Sequence, residues 1–387
     1  MSAVEAYAHE PLSDSRPLIV HVIRQFLPNR GGLEDVVANL ARQTVAHGYR
    51  VRVVTLDTLF TERQKILPHH ERIENIEVVR IPWSGSPRYP IAPQVFRHLG
   101  DADLIHVHAI DFFFDALSWG RFLHRKPMVA TTHGGFFHTS NYAAIKKVWF
   151  QTITRASAVG YDRIIGCSLS DFRQFSRIAS SRSMVIENGA DIGKFADSAS
   201  RTPLRRIVTI GRFSVNKRLD NLLATVAALR ERGGPAWHLD IIGVESDLSR
   251  RDLADHIERH DIEDAVTIHV SPANNLIRRI ISQASIFASA SAYEGFGLVA
   301  LEAMSAGLLP VLNGNEAFRT LSERHNQLLL ADFSDAASAA EAIEAAYDRL
   351  RSHGPQLRDQ LMAETRAYSW EVVAERYLGV YRELLDA

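Results

Sequence analysis

RRIVTIGRFSVNKRLDNL, residues 205–222, has the order of a parallel-sheet unit: a short apolar run, a polar loop and the start of an amphipathic segment. The run RRIVTIGR is typical of a buried strand, and the pattern from Leu219 onward predicts a helix, which we expect Asp220 to cap. The same alternation extends from Pro17 almost to the C-terminus. It predicts an α/β fold in which helices cover parallel sheets.

The predicted strands fall into two series. Their segments are PLIVHVI (17–23), RVRVVTL (50–56), IEVVRIP (76–82), DLIHVHA (103–109), PMVATTH (127–133), RIIGCSL (163–169) and SMVIEN (183–188), then RRIVTIGR (205–212), HLDIIGV (238–244), VTIHV (266–270), ASIFASA (284–290), LLPVLNG (308–314) and LLLA (328–331). The turn-rich segment NGADIGKFADSASRTP separates the two series at residues 188–203. We therefore expect two Rossmann-like, doubly wound domains facing across a cleft.

The predicted domain boundaries follow from this division. A chain of 387 residues exceeds the size at which one core usually keeps growing. We assign residues 17–190 to an acceptor-binding domain and residues 204–368 to a nucleotide-binding domain. Residues 369–387 are predicted to form a helix that crosses back to the first domain. Doubly wound sheets bind ligands at the carboxyl ends of their strands, so the loops there are the candidate site.

Composition narrows the functional class. The chain has a net charge of −1 and one cysteine, Cys167, which excludes an intrachain disulfide and a thiolate metal cluster. Residues 1–199 hold 23 Lys and Arg against 19 Asp and Glu, so this half suits an anionic surface or substrate. No nucleic-acid-binding pattern is present. The chain shows no run of 18 apolar residues and no signal-peptide pattern, so a cytoplasmic location is expected.

Two motifs in the first half follow predicted strands. Gly31 and Gly32 open a helical pattern, where free amides can approach a phosphate, although a plain turn has the same sequence. His133 ends a strand before Gly134 and is either a functional or a structural histidine. His106 and His108 lie on one strand face, but no third ligand has convincing spacing, so no metal site is expected.

The second half contains a denser set of polar residues. Arg212 and Lys217 follow a strand and suit a diphosphate, unless they are only surface cations. In YEGFGLVALEAMSAG, residues 293–307, Gly295, Phe296 and Gly297 precede a predicted helix, whose amides would bind the diphosphate too. Glu294 and Glu302 would then accept hydrogen bonds from sugar and ribose hydroxyls. The alternative is an ordinary solvated acidic helix face.

Taken in order, these motifs resemble the retaining glycosyltransferases of family 4, which have the GT-B fold. The signature of two glutamates separated by seven residues stands here as EGFGLVALE, and GRFSVNKRLD, THGG and NGAD match other family segments. The segment THGGFFHTSNYAAIKKVWF is most similar to the GDP-mannose-dependent α-mannosyltransferases of xanthan-type and acetan-type exopolysaccharide assembly. Three segments depart from the family: Lys217 precedes Arg218 instead of glycine, SPANN follows VTIHV, and NGNEAFRTL lacks paired glycines.

The resemblance implies a retaining transfer of mannose from GDP-mannose to a polyprenyl-diphosphate-linked cellobiosyl acceptor, without a metal or other cofactor. It implies catalytic roles for His133 and Glu294 and donor binding by the residues named above. Retention is expected to proceed by front-face attack, or else with Glu294 as a covalent nucleophile. Another nucleotide sugar such as UDP-glucose or UDP-GlcNAc, an epimerase or phosphorylase of the same architecture, and a non-catalytic nucleotide-sugar-binding protein are the alternatives.

A lipid-linked acceptor implies contact with the cytoplasmic face of the inner membrane. In NYAAIKKVWFQTITR, apolar residues share one helical face beside basic ones. Lys146, Lys147 and Trp149 are the predicted contacts with anionic lipid. Ordinary packing of this helix into the first domain is the alternative.

Overall fold

The computed structural model describes residues 15–29, 31–134 and 147–387. Its strands are β1 Leu18–Val22, β2 Arg50–Leu56, β3 Thr58–Leu59, β4 Glu62–Ile66, β5 His70–Ile73, β6 Ile76–Ile81, β7 Ser84–Ser86, β8 Tyr89–Ile91, β9 Leu104–His108, β10 Met128–Thr131, β11 Arg163–Gly166, β12 Ser183–Val185, β13 Arg206–Ile210, β14 His238–Gly243, β15 Val266–Val270, β16 Ile286–Ser289, β17 Leu309–Asn313 and β18 Leu329–Ala331. Each predicted strand is present, shortened by up to three residues at an end.

Helices alternate with these strands. They are α1 Gly32–Ala46, α2 Phe112–Trp119, α3 Arg121–His124, α4 Arg155–Ala158, α5 Leu169–Ala179, α6 Leu219–Glu231, α7 Arg250–Arg259, α8 Asn274–Ile281, α9 Leu298–Ala306, α10 Glu316–Arg324, α11 Ala336–Thr365 and α12 Trp370–Leu385. A π-helical segment, Phe150–Thr154, precedes α4. The long helix α11 contains Pro355 and is kinked at His353, where φ is −138°. Within the described ranges, no helix combines the length and the apolar run that crossing a bilayer requires.

The chain forms two compact units. The first comprises residues up to Val185 together with Tyr377–Ala387, and the second comprises Ile186–Arg376. The boundary lies within α12, so this helix begins in the second unit and ends in the first. Both units have the Rossmann-like, parallel-sheet organisation predicted from the sequence.

The first unit contains an eight-stranded sheet in the order β12-β11-β10-β9-β1-β2-β6-β5. All neighbours pair in parallel except β5 and β6. Leu18, Val20 and Val22 of β1 pack with α2 on one face, while Ile23 packs with α1 on the other. Both faces are therefore covered, as is usual for parallel sheets.

The sequence analysis missed five short strands in this unit. The hairpin β5–β6 turns at Glu74 and Asn75, whose φ angles are 49° and 67°. A two-residue turn with both φ angles positive matches the twist of a hairpin, and asparagine tolerates that conformation. The Glu-Asn pair was therefore the available signal. Strands β3, β7 and β8 have only two or three residues, and β4, ERQKI, is exposed along its whole length, so none of them shows an apolar periodicity.

The second unit contains a six-stranded parallel sheet in the order β15-β14-β13-β16-β17-β18. One apolar core includes residues of both its strands and its helices. The prediction that Asp220 caps α6 was wrong: the N-cap is Arg218, with φ of 45°, and Asp220 lies in the first helical turn. Asp220 forms an ion pair with Arg218 instead, with 3.1 Å between Arg218 Nη2 and Asp220 Oδ2.

Gly307 ends α9 in a left-handed conformation with φ of +87° and lies against Arg358. Arg358 is buried, forms an ion pair with Asp197, and donates from Nη1 to the Ala199 carbonyl at 2.9 Å. A methyl group at position 307 would overlap the guanidinium. Gly234 in the same unit has φ of +88° and no atom within 4 Å of such a methyl group.

We expect Gly234→Ala to lower the free energy of unfolding by about 1–2 kcal/mol, the cost of a left-handed non-glycine residue. Gly307→Ala should cost at least about 2 kcal/mol more, because displacing Arg358 breaks buried polar contacts. Calorimetry of both variants tests the difference. Equal losses of unfolding free energy in the two variants would show that the Arg358 side chain can move aside without losing stabilising contacts.

Candidate active site

The strand order of the second sheet reverses between β13 and β16. Strand β13 pairs with β14 on one side and with β16 on the other, where Ile207 is opposite Ile286. Loops that leave two such strands diverge to opposite faces and open a crevice at their carboxyl ends. The predicted residues Arg212 and Lys217 follow β13, and Glu294 follows β16. The fold therefore brings both sequence motifs to one crevice of the second unit.

An ion pair joins the two loops. Lys217 Nζ lies 2.6 Å from Glu294 Oε1, and both side chains are largely buried. Neighbouring bonds hold the loops in the same register: Asn216 Nδ2 donates to the Tyr293 carbonyl at 2.9 Å, and the Ala292 amide donates to the Asn216 carbonyl at 2.9 Å. The sequence analysis expected no such pairing. The ion pair explains how the Glu294 carboxylate is tolerated beside the predicted anion site, because the lysine balances its charge.

A small cavity of the second unit lies beside this ion pair. It is lined by Arg212, Lys217, Ser289, Ser291 and the backbone around Gly211, among others. Arg212 is exposed and Lys217 partly buried. The cavity has a volume of only about 10 Å³, and the Ser289 and Ser291 hydroxyl groups are 3.0 Å apart and bond each other, so the cations Arg212 and Lys217 at its rim are the groups that suit an anion.

The EGFG turn leads directly into a helix, as predicted. Gly297 is the N-cap of α9, with φ of +85°, and a methyl group there would lie 2.9 Å from the Phe318 ring. Gly295 is exposed, and the Phe296 ring packs 6.1 Å from that of Tyr368. Glu302 lies within α9 and is partly buried. The turn thus carries the predicted donor-binding residues next to the N-terminus of a helix, where partial positive charge favours anions.

In the first unit, Gly31 is the N-cap of α1 and Gly32 is its first residue, as predicted. The side of Gly31 that lacks a Cβ is filled by Glu34, whose Oε2 would lie 2.6 Å from an added methyl group. Glu34 is buried and accepts from Asn29 Nδ2 at 2.7 Å. The close approach of this carboxylate is one structural reason for glycine at position 31. Gly32 is exposed and has nothing within 4 Å of its missing Cβ, so phosphate contact there stays a prediction.

His133 follows β10 with φ of 51°, a strained conformation for a residue with a side chain. Its Nε2 lies 3.0 Å from Nδ1 of His108. Burial lowers the pKa of His133 to about 3, and the positive charge of Arg24 acts in the same direction. The ring is therefore neutral at physiological pH.

Three histidines lie together on the buried face of this sheet. His21 of β1 is opposite His106 of β9, and His108 follows two residues later on the same face. The ligand atoms of His21, His106 and His108 lie within 4.8 Å of one another, so they can hold a metal ion. The sequence analysis found only two of them, because the third comes from a distant strand. The absence of a metal requirement thus stays a prediction.

Sequence reasoning also missed Arg24 and Asp111, which follow β1 and β9. Asp111 is buried; its Oδ1 accepts from the Phe113 amide at 2.9 Å and caps α2. Its Oδ2 has no hydrogen-bond partner among the described residues. Burial raises the pKa of Asp111 to about 6, although Arg24 opposes the shift. The only available signal was an aspartate after a strand, which is common at helix starts.

The predicted membrane contacts are only partly described. Lys146 lies outside the described residues, whereas Lys147 is exposed. The side chains of Val148 and Trp149 are 63% and 38% exposed, and Phe150 is buried. The segment therefore packs through Phe150, and the Trp149 ring lies 6.1 Å from that of Tyr89, while Val148 is on the surface, so membrane contact stays a prediction.

Two protein-family models together match most of the chain. Residues 30–194 match the family model "Glycosyltransferase Family 4", and residues 193–362 match "Glycosyl transferases group 1". The chain belongs to glycosyltransferase family 4 and is a glycosyltransferase.

Curated relatives narrow this class. The chain is 43% identical to the GDP-mannose:cellobiosyl-diphosphopolyprenol alpha-mannosyltransferase of Komagataeibacter xylinus, over 95% of this chain and 93% of that protein. It is 41% identical to the protein of the same name from Xanthomonas campestris, over 95% of this chain and 97% of that one. A phosphatidyl-myo-inositol mannosyltransferase from Mycolicibacterium smegmatis is 27% identical over 92% of this chain and 91% of that protein.

Solved structures support the fold. Sucrose-phosphate synthase from Thermosynechococcus elongatus has a TM-score of 0.70 at 21% identity, covering 96% of this chain and 100% of that one. HepE from Anabaena, in complex with UDP and glucose, has a TM-score of 0.72 at 17% identity, covering 95% and 100%. At these identities the likeness concerns the fold alone. It agrees with the two parallel sheets described above.

The buried carboxyl group of Asp111 should make the free energy of unfolding depend on pH. Burial raises the pKa of this carboxyl group from its ordinary value of 3.8 to about 6, so the folded state holds its proton more tightly. Stability contributed by this proton is present below about pH 4 and is lost as the pH rises through 6. The loss amounts to about 3 kcal/mol, at about 1.4 kcal/mol per pKa unit.

We expect Asp111→Asn to be more stable than the wild type at pH 8, by up to about 3 kcal/mol, because asparagine still caps α2 but carries no charge. The advantage should disappear towards pH 4. Denaturant unfolding of both proteins at several pH values measures the difference in their free energies of unfolding. Other titrating groups contribute equally to both proteins, so their effect cancels in this difference. If the variant were more stable by the same amount at every pH, the raised pKa assigned to Asp111 would be wrong.

Proposed function

We propose that this enzyme transfers mannose from GDP-mannose to a cellobiosyl-diphosphate polyprenol, with retention of the α configuration. The observation that carries the proposal is the 41–43% identity to transferases of that name over 95% of the chain. The crevice between β13 and β16 supports it, because it places cations, a helix N-terminus and a carboxylate where a nucleotide-diphosphate sugar needs them.

In this proposal Arg212, Lys217 and the amides of residues 295–297 bind the donor diphosphate. An ammonium group has three donors and a carboxylate about four acceptor positions. Lys217 can therefore bond a phosphate oxygen while keeping Glu294, and Glu294 can still accept from hydroxyls of the donor sugar. Glu302 binds the ribose from within α9. The ion pair sets the distance between the diphosphate and sugar subsites.

Catalysis follows from the charge that develops on the leaving diphosphate. Arg212, Lys217 and the helix amides bind that charge more strongly as the glycosidic bond breaks, which lowers the barrier. The leaving phosphate accepts the proton of the acceptor hydroxyl on the face from which it departs, so configuration is retained. A carboxylate engaged by Lys217 at 2.6 Å is stabilised and a weaker nucleophile, which favours an orienting role for Glu294.

We assign the acceptor to the first unit. Asp111 has a buried carboxylate oxygen without a partner among the described residues, at the carboxyl end of β9. Such an oxygen accepts a hydroxyl at little further desolvation cost. Arg24, Asp111 and His133 follow the neighbouring strands β1, β9 and β10, and the charge of Arg24 lowers the pKa of both Asp111 and His133. His133 would orient a reacting sugar from this position.

The donor is tested by binding of GDP-mannose, UDP-glucose, UDP-GlcNAc and GDP-fucose, followed by turnover with a lipid-diphosphate cellobiose in the presence of a chelator. We expect tight binding and turnover with GDP-mannose alone, undiminished by the chelator. Tight binding of a UDP sugar and none of GDP-mannose would overturn the donor. Binding without turnover on any acceptor would favour a nucleotide-sugar-binding protein.

Two variants test the assigned roles. Glu294→Ala should lower kcat by at least about 100-fold, the loss typical of a preorganised polar contact at the reacting centre. Glu302→Ala should act mainly on the KM for the donor, by about tenfold, because a ribose contact is equally strong before and during the reaction. The reverse order of effects on kcat would exclude these roles.

We further propose that the first unit docks on the anionic cytoplasmic face of the inner membrane, where the lipid-linked acceptor is held. No acidic residue occurs in the sequence between Asp115 and Asp162. The basic residues in that interval are Arg121, Arg125, Lys126, Lys146, Lys147 and Arg155. Large exposed apolar side chains accompany them: Trp119, Phe122, Leu123, Val148, Trp149 and Val159. Arg121 is paired with Asp162 at 2.9 Å, and the apolar side chains beside the remaining cations fit an anionic lipid surface.

Flotation with vesicles of anionic lipid tests this surface. The triple variant of Lys146, Lys147 and Trp149 to alanine, and the double variant Phe122→Ser with Leu123→Ser, should each float less than the wild type. Ile66→Ser is the matched control, because Ile66 is 75% exposed in the β3–β4 hairpin of the same unit. Wild-type flotation of both variants, or an equal loss in the control, would exclude the surface.

A further inference from the structure

A continuous chain of hydrogen bonds runs from His133 into the first sheet. His133 Nε2 lies 3.0 Å from His108 Nδ1, and His108 Nε2 lies 2.9 Å from His21 Nδ1. His21 and His108 are fully buried. The chain ends at His21 Nε2, which is buried and has no partner among the described residues.

All the rings in this chain are neutral. Burial lowers the pKa of His21 to about 3 and that of His108 well below 6.5, as it does for His133. A neutral imidazole carries one proton, so one nitrogen donates and the other accepts. The two hydrogen bonds must therefore run in the same direction along the chain.

Only two proton arrangements satisfy both bonds. If His133 donates inward, the last proton lies on His21 Nε2 and a buried N–H is left without an acceptor. If His21 donates outward, every N–H inside the chain is bonded, and His21 Nε2 keeps only an unused lone pair. Orphaned buried N–H groups are rarer in proteins than under-used acceptors, so the outward arrangement is favoured.

We propose that His21 and His108 are positioning residues that fix His133 with its proton on Nδ1. His108 donates from Nδ1 to His133 Nε2, which leaves Nδ1–H as the only polar group of the His133 ring available to a ligand. His133 would then donate a hydrogen bond to an oxygen of the donor sugar or acceptor and would not serve as a base at that nitrogen. This last step rests on the proposed function, whereas the proton position does not.

The backbone around His133 is held by neighbouring contacts. Thr131 is opposite His108 in β10, and its Oγ1 bonds His106 Nε2 at 2.8 Å. Thr132 Oγ1 donates to Asp171 Oδ2 at 2.8 Å. The parallel pairing of β10 with β9 and the bond of Thr132 to Asp171 fix the two residues that precede His133, so its left-handed backbone and its ring position are determined together.

His106 provides an internal control. It is as buried as His108 and lies two residues away on the same strand face. Both its nitrogens are bonded to hydroxyl groups, Nδ1 to Tyr381 at 2.6 Å and Nε2 to Thr131 at 2.8 Å. A substitution at His106 therefore disturbs the same core without breaking the chain that reaches His133.

The experiment is ¹⁵N NMR of the full-length protein with labelled histidine, in which the His133 signals are those missing from His133→Asn. We expect protonation at Nδ1 in the wild type and in His106→Asn, and a loss of this preference in His108→Leu. His108→Asn should restore it, because its amide N–H can donate near the position of the lost Nδ1–H. Protonation of His133 at Nε2 in the wild type would overturn the proposal.

Turnover supplies a second readout. We expect His108→Leu to lower kcat by about 10- to 100-fold with little change in donor KM, the range seen when an outer hydrogen-bond partner of a functional histidine is removed. His108→Asn should recover most of the loss, and His106→Asn should retain near wild-type kcat at equal folded fraction. Equal losses of kcat in His106→Asn and His108→Leu would show that the hydrogen-bonded histidines affect activity only through packing of the core.

Metal analysis distinguishes the remaining alternative. One equivalent of zinc or iron in the purified protein, lost in His21→Asn, would show that these nitrogens bind a metal, which overturns the proton arrangement. If no transferase activity is found with any donor, the NMR result still decides the proton position. Failure of the proposed function and failure of this inference are therefore separable.

Discussion

The reversal of strand order at one point of each sheet is the constraint on which the candidate site depends. In the second sheet the chain leaves β13 towards β14 on one side and returns through β16 on the other, so the following loops share a crevice. In the first sheet β1 and β9 occupy the equivalent place, and the loops after them carry Arg24 and Asp111. Polar residues far apart in sequence thus lie at the carboxyl ends of neighbouring strands within each sheet.

The ion pair between Lys217 and Glu294 depends on this strand order. Their separation in the chain is 77 residues, yet the parallel pairing of β13 with β16 brings their loops within hydrogen-bond distance. Lys217 Nζ lies 2.6 Å from the partly buried Glu294 carboxylate, and an opposite charge at that distance offsets the cost of burying it. In the proposed donor complex Lys217 bonds a phosphate oxygen while Glu294 accepts from a sugar hydroxyl, so the carboxylate and the diphosphate occupy different positions.

The sequence predicted the sheets well because parallel strands buried on both faces are continuous apolar runs, as in IVHV and RIVTI. It also predicted the N-cap position of Gly297, since the apolar stripe begins directly after it. It failed for Asp220, because the left-handed Arg218 is the N-cap and starts α6 two residues earlier than a cap at Asp220 would. It could not find His21 as a neighbour of His106, because strand register is set by tertiary packing and not by spacing along the chain. The burial of Asp111 was hidden for the same reason.

Backbone strain lies at the same strand ends as the candidate residues. Ala109 follows β9, His133 follows β10 and Arg218 precedes α6, and all three have positive φ angles. Each costs about 1–2 kcal/mol relative to a relaxed backbone, so the surrounding contacts must hold it. For His133 these contacts are the bonds of His108 to its ring and of Asp171 to Thr132. For Arg218 they are the bonds of its side chain to Asp220 and Asn221. Turns such as Glu74 and Asn75 show that positive φ alone does not identify a functional residue. At His133 the strain coincides with a hydrogen-bonded side chain at the carboxyl end of a parallel strand, and that combination, which the Glu74–Asn75 turn lacks, supports the proposed role of His133.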